Sequence, residues 1–137
     1  MYGSDGLVEL LSESDFVVVA AALTEETKGM LGKDQFKHSK EGQILINVGR
    51  GPVIVEDDLI AALEKGQLAG AALDVFCVEP LPKKSKIWDM ENVLLSPHNA
   101  DSLSNNRHKS VQFFCENCTL FLAELSIPNV IDPLKGY

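Results

Sequence analysis

Four short apolar runs constrain this chain more than any other feature: Phe16-Val17-Val18-Val19-Ala20, Ile44-Leu45-Ile46-Asn47-Val48, Gly70-Ala71-Ala72-Leu73-Asp74-Val75-Phe76 and Val93-Leu94-Leu95. Each is short, nearly continuous in its apolar residues and bounded by turn-forming residues, the pattern of a strand in a parallel sheet rather than of a half-exposed hairpin. The segments between them repeat with a helical period. A short helix is expected around Leu7 to Leu11, a capped helical turn at Thr24-Glu25-Glu26-Thr27, and another short helix from Gly32 to Ser39. The stretch from Glu56 to Gly66 has an acidic start, an apolar face and a glycine stop, and a long helix is expected from about Ser102 to Glu124. Strands alternating with helices predict an α/β fold with a parallel sheet covered on both faces.

A chain of 137 residues that is 45% hydrophobic suits one globular domain. The formal charge of −8 argues against a phosphate-backbone partner, because sequence-independent nucleic-acid affinity comes from clustered Lys and Arg. No apolar run reaches the roughly 18 residues a membrane-spanning helix needs, and Met1 to Asp5 has no signal-peptide character, so a cytoplasmic protein without a membrane partner is expected. Three cysteines suit a reducing compartment. Cys115 and Cys118 form one C-x-x-C inside a helical pattern with no second ligand pair, so they are expected to be buried helix residues and no metal site is expected.

In open parallel sheets ligands bind beyond the carboxyl ends of the strands, where loops diverge and side chains converge. Four ionisable residues occupy those positions here: Arg50 after the second run, Asp74 at the end of the third, Glu79 on the following loop, and His98 after the fourth. A guanidinium can hold a carboxylate with two parallel hydrogen bonds while directing a donor at a neighbouring carbonyl oxygen. A histidine beside a carboxylate can deliver a proton to a developing alkoxide, with Glu79 as the partner of His98. The remaining reagent for reducing a 2-keto acid is a hydride, which no side chain supplies and a nicotinamide cofactor would bring.

Three segments carry a resemblance: Ile44-Leu45-Ile46-Asn47-Val48-Gly49-Arg50-Gly51, then Leu68 to Phe76 with Glu79-Pro80, then Asn92-Val93-Leu94-Leu95-Ser96-Pro97-His98. In this order and spacing they resemble the D-isomer-specific 2-hydroxyacid dehydrogenases, nearly end to end. The resemblance implies a Rossmann-type doubly wound parallel sheet and hydride transfer between NAD or NADP and a small 2-keto or 2-hydroxy acid. It implies that Arg50 binds the substrate carboxylate and keto oxygen, that His98 is the general acid/base and that Glu79 orients it. It further places Asp74 at the nicotinamide carboxamide, Val48, Gly49, Arg50, His98 and Ala100 near the cofactor, and Leu23 and Thr24 along its approach. Residues 1–124 would form the carboxy-terminal part of the nucleotide-binding domain. Residues 125–137, including Ile127-Pro128-Asn129-Val130-Ile131-Asp132, would form the tail that returns to a substrate domain.

The chain departs from the family pattern in several places. It contains no G-x-G-x-x-G, so it is expected to lack the first βαβ unit and to begin within a domain. On that reading two missing strands would lie between the strands at residues 16 and 44, leaving exposed edges and an apolar gap. Val55 stands where the family commonly has a capping Asp, Ala20-Ala21-Ala22 lacks the usual polar residue and proline, and Asp101 replaces a small residue, adding a charge that would repel an acidic substrate. Three readings follow: the catalytic portion of an NAD(P)-dependent dehydrogenase whose isolated chain is inactive, a catalytically silent nucleotide-sensing interaction module, or a half-domain that folds by pairing. A homodimer is compatible with all three.

Overall fold

The computed structural model describes residues 6–102, 104–128 and 130–134. The expectation for Met1 to Asp5, and the Asn129 and 135–137 parts of the expected tail, lie outside the described residues. The chain divides into two compact units, one ending at His98 and the other starting at Asn99.

The first unit runs α1 (Leu7–Glu13), β1 (Phe16–Val19), α2 (Lys33–Phe36), β2 (Ile44–Asn47), α3 (Glu56–Glu64), β3 (Gly70–Leu73) and β4 (Val93–Leu95). Short 3-10 turns at Gly51–Val53 and Lys86–Asp89 punctuate the loops after β2 and β3. Every apolar run forms a strand, although β1, β2 and β3 stop one to three residues short of the run. β3 ends at Leu73 and so leaves Asp74 just beyond the sheet. Thr24 to Thr27 makes a single capped turn, closed by Lys28 N–H on the Thr24 carbonyl at 2.9 Å and by Thr27 N–H on the Thr24 hydroxyl at 3.2 Å.

All four strands are parallel in the order β1-β2-β3-β4. The expected gap between the first two is absent: Phe16, Val17, Val18 and Val19 pair directly with Ile44, Leu45, Ile46 and Asn47. One short crossover, carrying α2, joins neighbouring strands, so β1 and β4 are the edges.

Within the first unit, the connecting helices cover one face of the sheet. Right-handed crossovers taken in one direction across a sheet put every connecting helix on the same side. Val17, Val19, Leu45, Ala71 and Leu73 point to that side and are buried with Leu11, Phe36, Leu59 and Leu63 from the helices. Each fully buried leucine, such as Leu45, contributes about 1.5–3 kcal/mol. The alternate residues Phe16, Val18 and Leu94 are exposed. Val55 is the N-cap of α3 and makes no side-chain cap, as its hydrocarbon side chain requires, and α3 is held instead by Leu59, Ile60, Ala62 and Leu63, all buried. Gln43, fully buried, fastens α1 to the start of β2 by donating to the carbonyls of Leu11 and Ser14, each at 2.7 Å.

The second unit contains α4 (Asn106–Leu122), shorter than expected at both ends, with no buried residue. Its apolar side chains Val111, Phe113, Phe114, Phe121 and Leu122 do not all share one side of the helix, Phe113 standing apart from the other four, and these five are exposed. That distribution explains why Cys115 is exposed and Cys118 half-buried, contrary to the expectation that both are buried. Among the described residues no helix is long and apolar enough to cross a membrane, and no group of three His, Cys, Asp or Glu side chains is placed to hold a metal ion.

Candidate active site

Because the strands are parallel, all four carboxyl ends open on one edge of the sheet, and the sequence order of the loops becomes a spatial cluster. The turn after β2 is built around Asn47, a buried polar residue at a core-facing strand position. Its side-chain carbonyl accepts from Gly49 N–H at 3.1 Å and its amide donates to the Arg50 carbonyl at 3.2 Å, so the turn that presents Arg50 is closed from inside. Arg50 itself has extended backbone and an exposed side chain, with Nη1 donating to the Gly49 carbonyl at 2.8 Å.

Gly51 sets the next spacing. A Cβ there would lie 2.0 Å from the Phe76 carbonyl carbon and oxygen and 2.5 Å from Cys77 N, so backbone of the turn after β2 lies directly against backbone of the loop after β3. This close approach brings Arg50 near Glu79.

Glu79 is held at both carboxylate oxygens. Phe76 N–H donates to Oε1 at 2.9 Å, and His98 Nδ1 pairs with Oε2 at 2.7 Å. The His98 hydrogen bond first, then the Phe76 hydrogen bond and the nearby charges of His98 and Arg50, hold the Glu79 carboxyl below the usual glutamate range. A folded-state value below the unfolded one means that this pairing stabilises the fold in full above the ordinary glutamate range and is lost as pH falls through the lowered value. Titration of Glu79 by carbon-detected NMR is therefore expected to show a midpoint below that of a free glutamate, and His98→Ala should move it up.

His98 follows Pro97 and adopts a left-handed backbone, φ 51°. That conformation is costly for a residue with a Cβ, by about 1–2 kcal/mol, and aims the imidazole back at the loop after β3. Its side chain stays 46% exposed, so the ring remains reachable while one nitrogen is committed to Glu79.

Asp74 is nearly fully buried, and Ser96 Oγ donates to its Oδ1 at 2.5 Å. This bond ties the end of β3 to the residue just past β4, two positions before His98. Ser96→Ala removes a charge-assisted donor from a buried carboxylate and is expected to lower the unfolding free energy by about 1.5–3 kcal/mol, measurable by urea denaturation.

The structure thus brings together Arg50, Glu79 and His98, with Asp74 at the same edge of the sheet. Val48 and Leu23 keep 40% and 41% exposure at the ends of β2 and beyond β1, and Gly49 runs beside the Ala21 carbonyl, 3.0 Å from where its Cβ would stand. Thr24 is half-buried and engaged with Thr27. The exposed apolar side chain of Val48 and the buried carboxylate of Asp74 stand on neighbouring strand ends and could hold the flat, amide-bearing end of a dinucleotide, so these residues fit the nicotinamide half of such a cofactor. Ala100 and Asp101 belong to the second unit. Asn47, Gly51 and Ser96 were not singled out from sequence as site residues. Asn47 left a signal, a polar residue inside an apolar strand; Gly51 and Ser96 act through contacts with a loop more than twenty residues away.

A parallel α/β sheet with an arginine, a buried aspartate and a histidine–glutamate pair at its carboxyl edge defines a Rossmann-type domain. Residues 2–100 match the family described as D-isomer specific 2-hydroxyacid dehydrogenase, NAD binding domain, and the chain belongs to that family. It is 42% identical over 127 residues to glyoxylate/hydroxypyruvate reductase B of Cronobacter sakazakii, covering 93% of this chain and 36% of the relative. It is 40% identical over 126 residues to glyoxylate reductase of Korarchaeum cryptofilum, covering 92% and 38%. The chain therefore spans little more than a third of these curated relatives. Among solved structures, a D-isomer specific 2-hydroxyacid dehydrogenase from Xanthobacter autotrophicus in complex with NADPH and MES superposes with TM-score 0.92 at 42% identity, over 100% of this chain and 56% of that one. The NADPH-dependent glyoxylate/hydroxypyruvate reductase of Sinorhizobium meliloti, in complex with NADP and sulfate, gives 0.90 at 33% identity, over 99% and 44%.

Proposed function

We propose that this chain carries the substrate-holding and proton-transferring residues of an NAD(P)-dependent dehydrogenase that interconverts small 2-oxo and 2-hydroxy acids. The observation that carries this reading is the His98–Glu79 pair at 2.7 Å with Arg50 close enough for its charge to act on Glu79. With Nδ1–H donating to Glu79, Nε2 is the nitrogen through which His98 exchanges a proton with the substrate oxygen. Glu79 fixes that tautomer and balances the positive charge of the ring before the proton leaves. Arg50 holds the substrate carboxylate through its planar fork and turns the carbonyl toward His98, which converts an encounter into a positioned reaction. Asp74, Val48, Gly49 and Leu23 would hold the nicotinamide, with Thr24 at its margin. When bound, the cofactor supplies or accepts the hydride. NAD and NADP are both compatible with these residues, and the NADPH and NADP in the related structures support testing the phosphorylated form first.

The test is oxidation of NADPH and NADH by the purified 137-residue chain with glyoxylate and with hydroxypyruvate. Turnover that requires His98 and Arg50 supports the reading. Turnover that survives both His98→Ala and Arg50→Ala overturns it, and nucleotide binding without turnover would make the chain a nucleotide-binding module.

A further inference from the structure

Helix α4 carries an apolar strip with a regular spacing. Val111, Phe114, Cys118 and Phe121 follow one another at steps of three, four and three residues, with Cys115 and Leu122 each four residues on from Val111 and Cys118. At about 3.6 residues per turn these six stand on one side of the helix, in the order of a coiled-coil seam. None of them is buried, and Leu122 is 82% exposed. Phe113 and Leu120 fall on the opposite side. Arg107, one turn before Val111, continues the strip and ends it with a charge. Large apolar side chains gathered in one exposed strip mark a surface for association.

We propose that this strip is a self-association surface, on which α4 packs antiparallel against α4 of a second copy of the chain. The inference is independent of the roles read for Arg50, Glu79 and His98. Size selects both the partner and the direction. When Val111 stands opposite Phe121 of the second copy, Phe114 falls opposite its Cys118, and by symmetry every layer joins one large aromatic side chain to one small one. Such layers fill a helix interface without voids, and the Cys118 sulfur meets an aromatic ring. A parallel pair would set phenylalanine on phenylalanine in two layers and leave valine on valine and cysteine on cysteine in the others. Charge selects the same direction. Antiparallel packing carries Arg107 to the last turn of the other helix, with its free carbonyls and the nearby Glu124, whereas parallel packing sets Arg107 against its own copy. The helix is also a face on which an acidic chain can meet itself: α4 holds two cations, Arg107 and Lys109, and one anion, Glu116, in a chain whose formal charge is −8.

The experiment is sedimentation equilibrium on the purified 137-residue chain, from micromolar to millimolar concentration. A reversible monomer–dimer equilibrium is expected. Phe114→Asp should raise the dimer dissociation constant by about 100-fold or more, because each dimer loses two phenylalanines from its seam. Phe114 is exposed, so its replacement leaves the fold of a single copy intact, which circular dichroism verifies. Leu122→Asp, at the other end of the strip and more exposed still, repeats the test. Leu94→Asp, on the exposed face of the sheet, should leave the dimer unchanged. A bismaleimide cross-linker reads the direction. In the antiparallel pair the Cys115 side chains of the two copies flank one side of the seam near its centre, so cross-linking should persist in Cys118→Ser and Cys77→Ser and vanish in Cys115→Ser. A folded chain that stays monomeric at millimolar concentration, or a dimer equally strong in Phe114→Asp and Leu122→Asp, overturns the proposal. A dimer broken by Leu94→Asp overturns it in favour of the sheet face, and cross-linking carried by Cys118 alone overturns the antiparallel packing.

Discussion

Replacing His98 with alanine is expected to lower kcat for 2-oxo acid reduction by about 100- to 10,000-fold, the span that a positioned general acid contributes. The nitrogen facing the substrate disappears, and with it the proton donor to the developing alkoxide. KM should change far less, because Arg50, which would hold the carboxylate, is untouched. Stability should change little too. The ring is half exposed, and what the fold loses is a partly solvated pair with Glu79, while the left-handed backbone at residue 98 remains as costly for alanine as for histidine. Glu79→Gln provides the comparison: the neutral amide can still accept from Nδ1 but no longer balances a charged ring, so kcat should fall by a smaller factor than in His98→Ala. Steady-state kinetics together with urea unfolding of both variants separates the two effects. A loss of stability of several kcal/mol with kcat per folded molecule preserved would show that the histidine is structural.

Gly51→Ala should be the most damaging substitution to the fold itself. The added Cβ would stand 2.0 Å from the Phe76 carbonyl, and the obstacle is backbone, which cannot swing aside as the end of a flexible side chain could. Relief requires the turn after β2 to separate from the loop after β3, pulling apart the contact that sets Arg50 near Glu79. A cost of about 3 kcal/mol or more is expected, at or above the upper end for inserting a methyl group into packed structure. Since small domains are stable by only about 5–15 kcal/mol, much of the population would unfold at modest denaturant. Chemical denaturation with far-UV circular dichroism measures this directly. A midpoint within error of the unsubstituted chain would mean that the two loops are not in contact in solution. Any Gly51→Ala protein that does fold should lose substrate affinity if Arg50 holds the substrate carboxylate as proposed, because Arg50 would move relative to the His98–Glu79 pair.

The two substitutions illustrate how unevenly the site could be read in advance. His98, Glu79, Arg50 and Asp74 were legible because each follows an apolar run, and parallel strands send all such positions to one edge. Gly51 also follows such a run, and as part of a Gly-Arg-Gly turn it suggests only a bend. Its importance comes from Phe76, twenty-five positions later. Ser96 behaves the same way: next to a proline and a histidine it is an ordinary loop residue, and only the fold places its hydroxyl on a buried carboxylate. Trp88 sits in a 3-10 turn that no sequence period announces, on a loop whose path is fixed by the indole's own bond to the Pro82 carbonyl.

The sequence by itself determined which segments are strands, where the main helices lie, and the family to which the resemblance points. It did so because apolar run length, helical period and turn residues are local properties. Strand order and sheet cover were decided by the tertiary structure alone. The expected gap between residues 16 and 44 does not exist, since β1 pairs with β2 along its whole length, and within the first unit the connecting helices pack on one face. A strand's backbone donors and acceptors are the same whatever its neighbour, so its sequence states which face is apolar but not what lies beside it. That choice is made by the length and handedness of each crossover and by the packing of the helices that the crossovers carry.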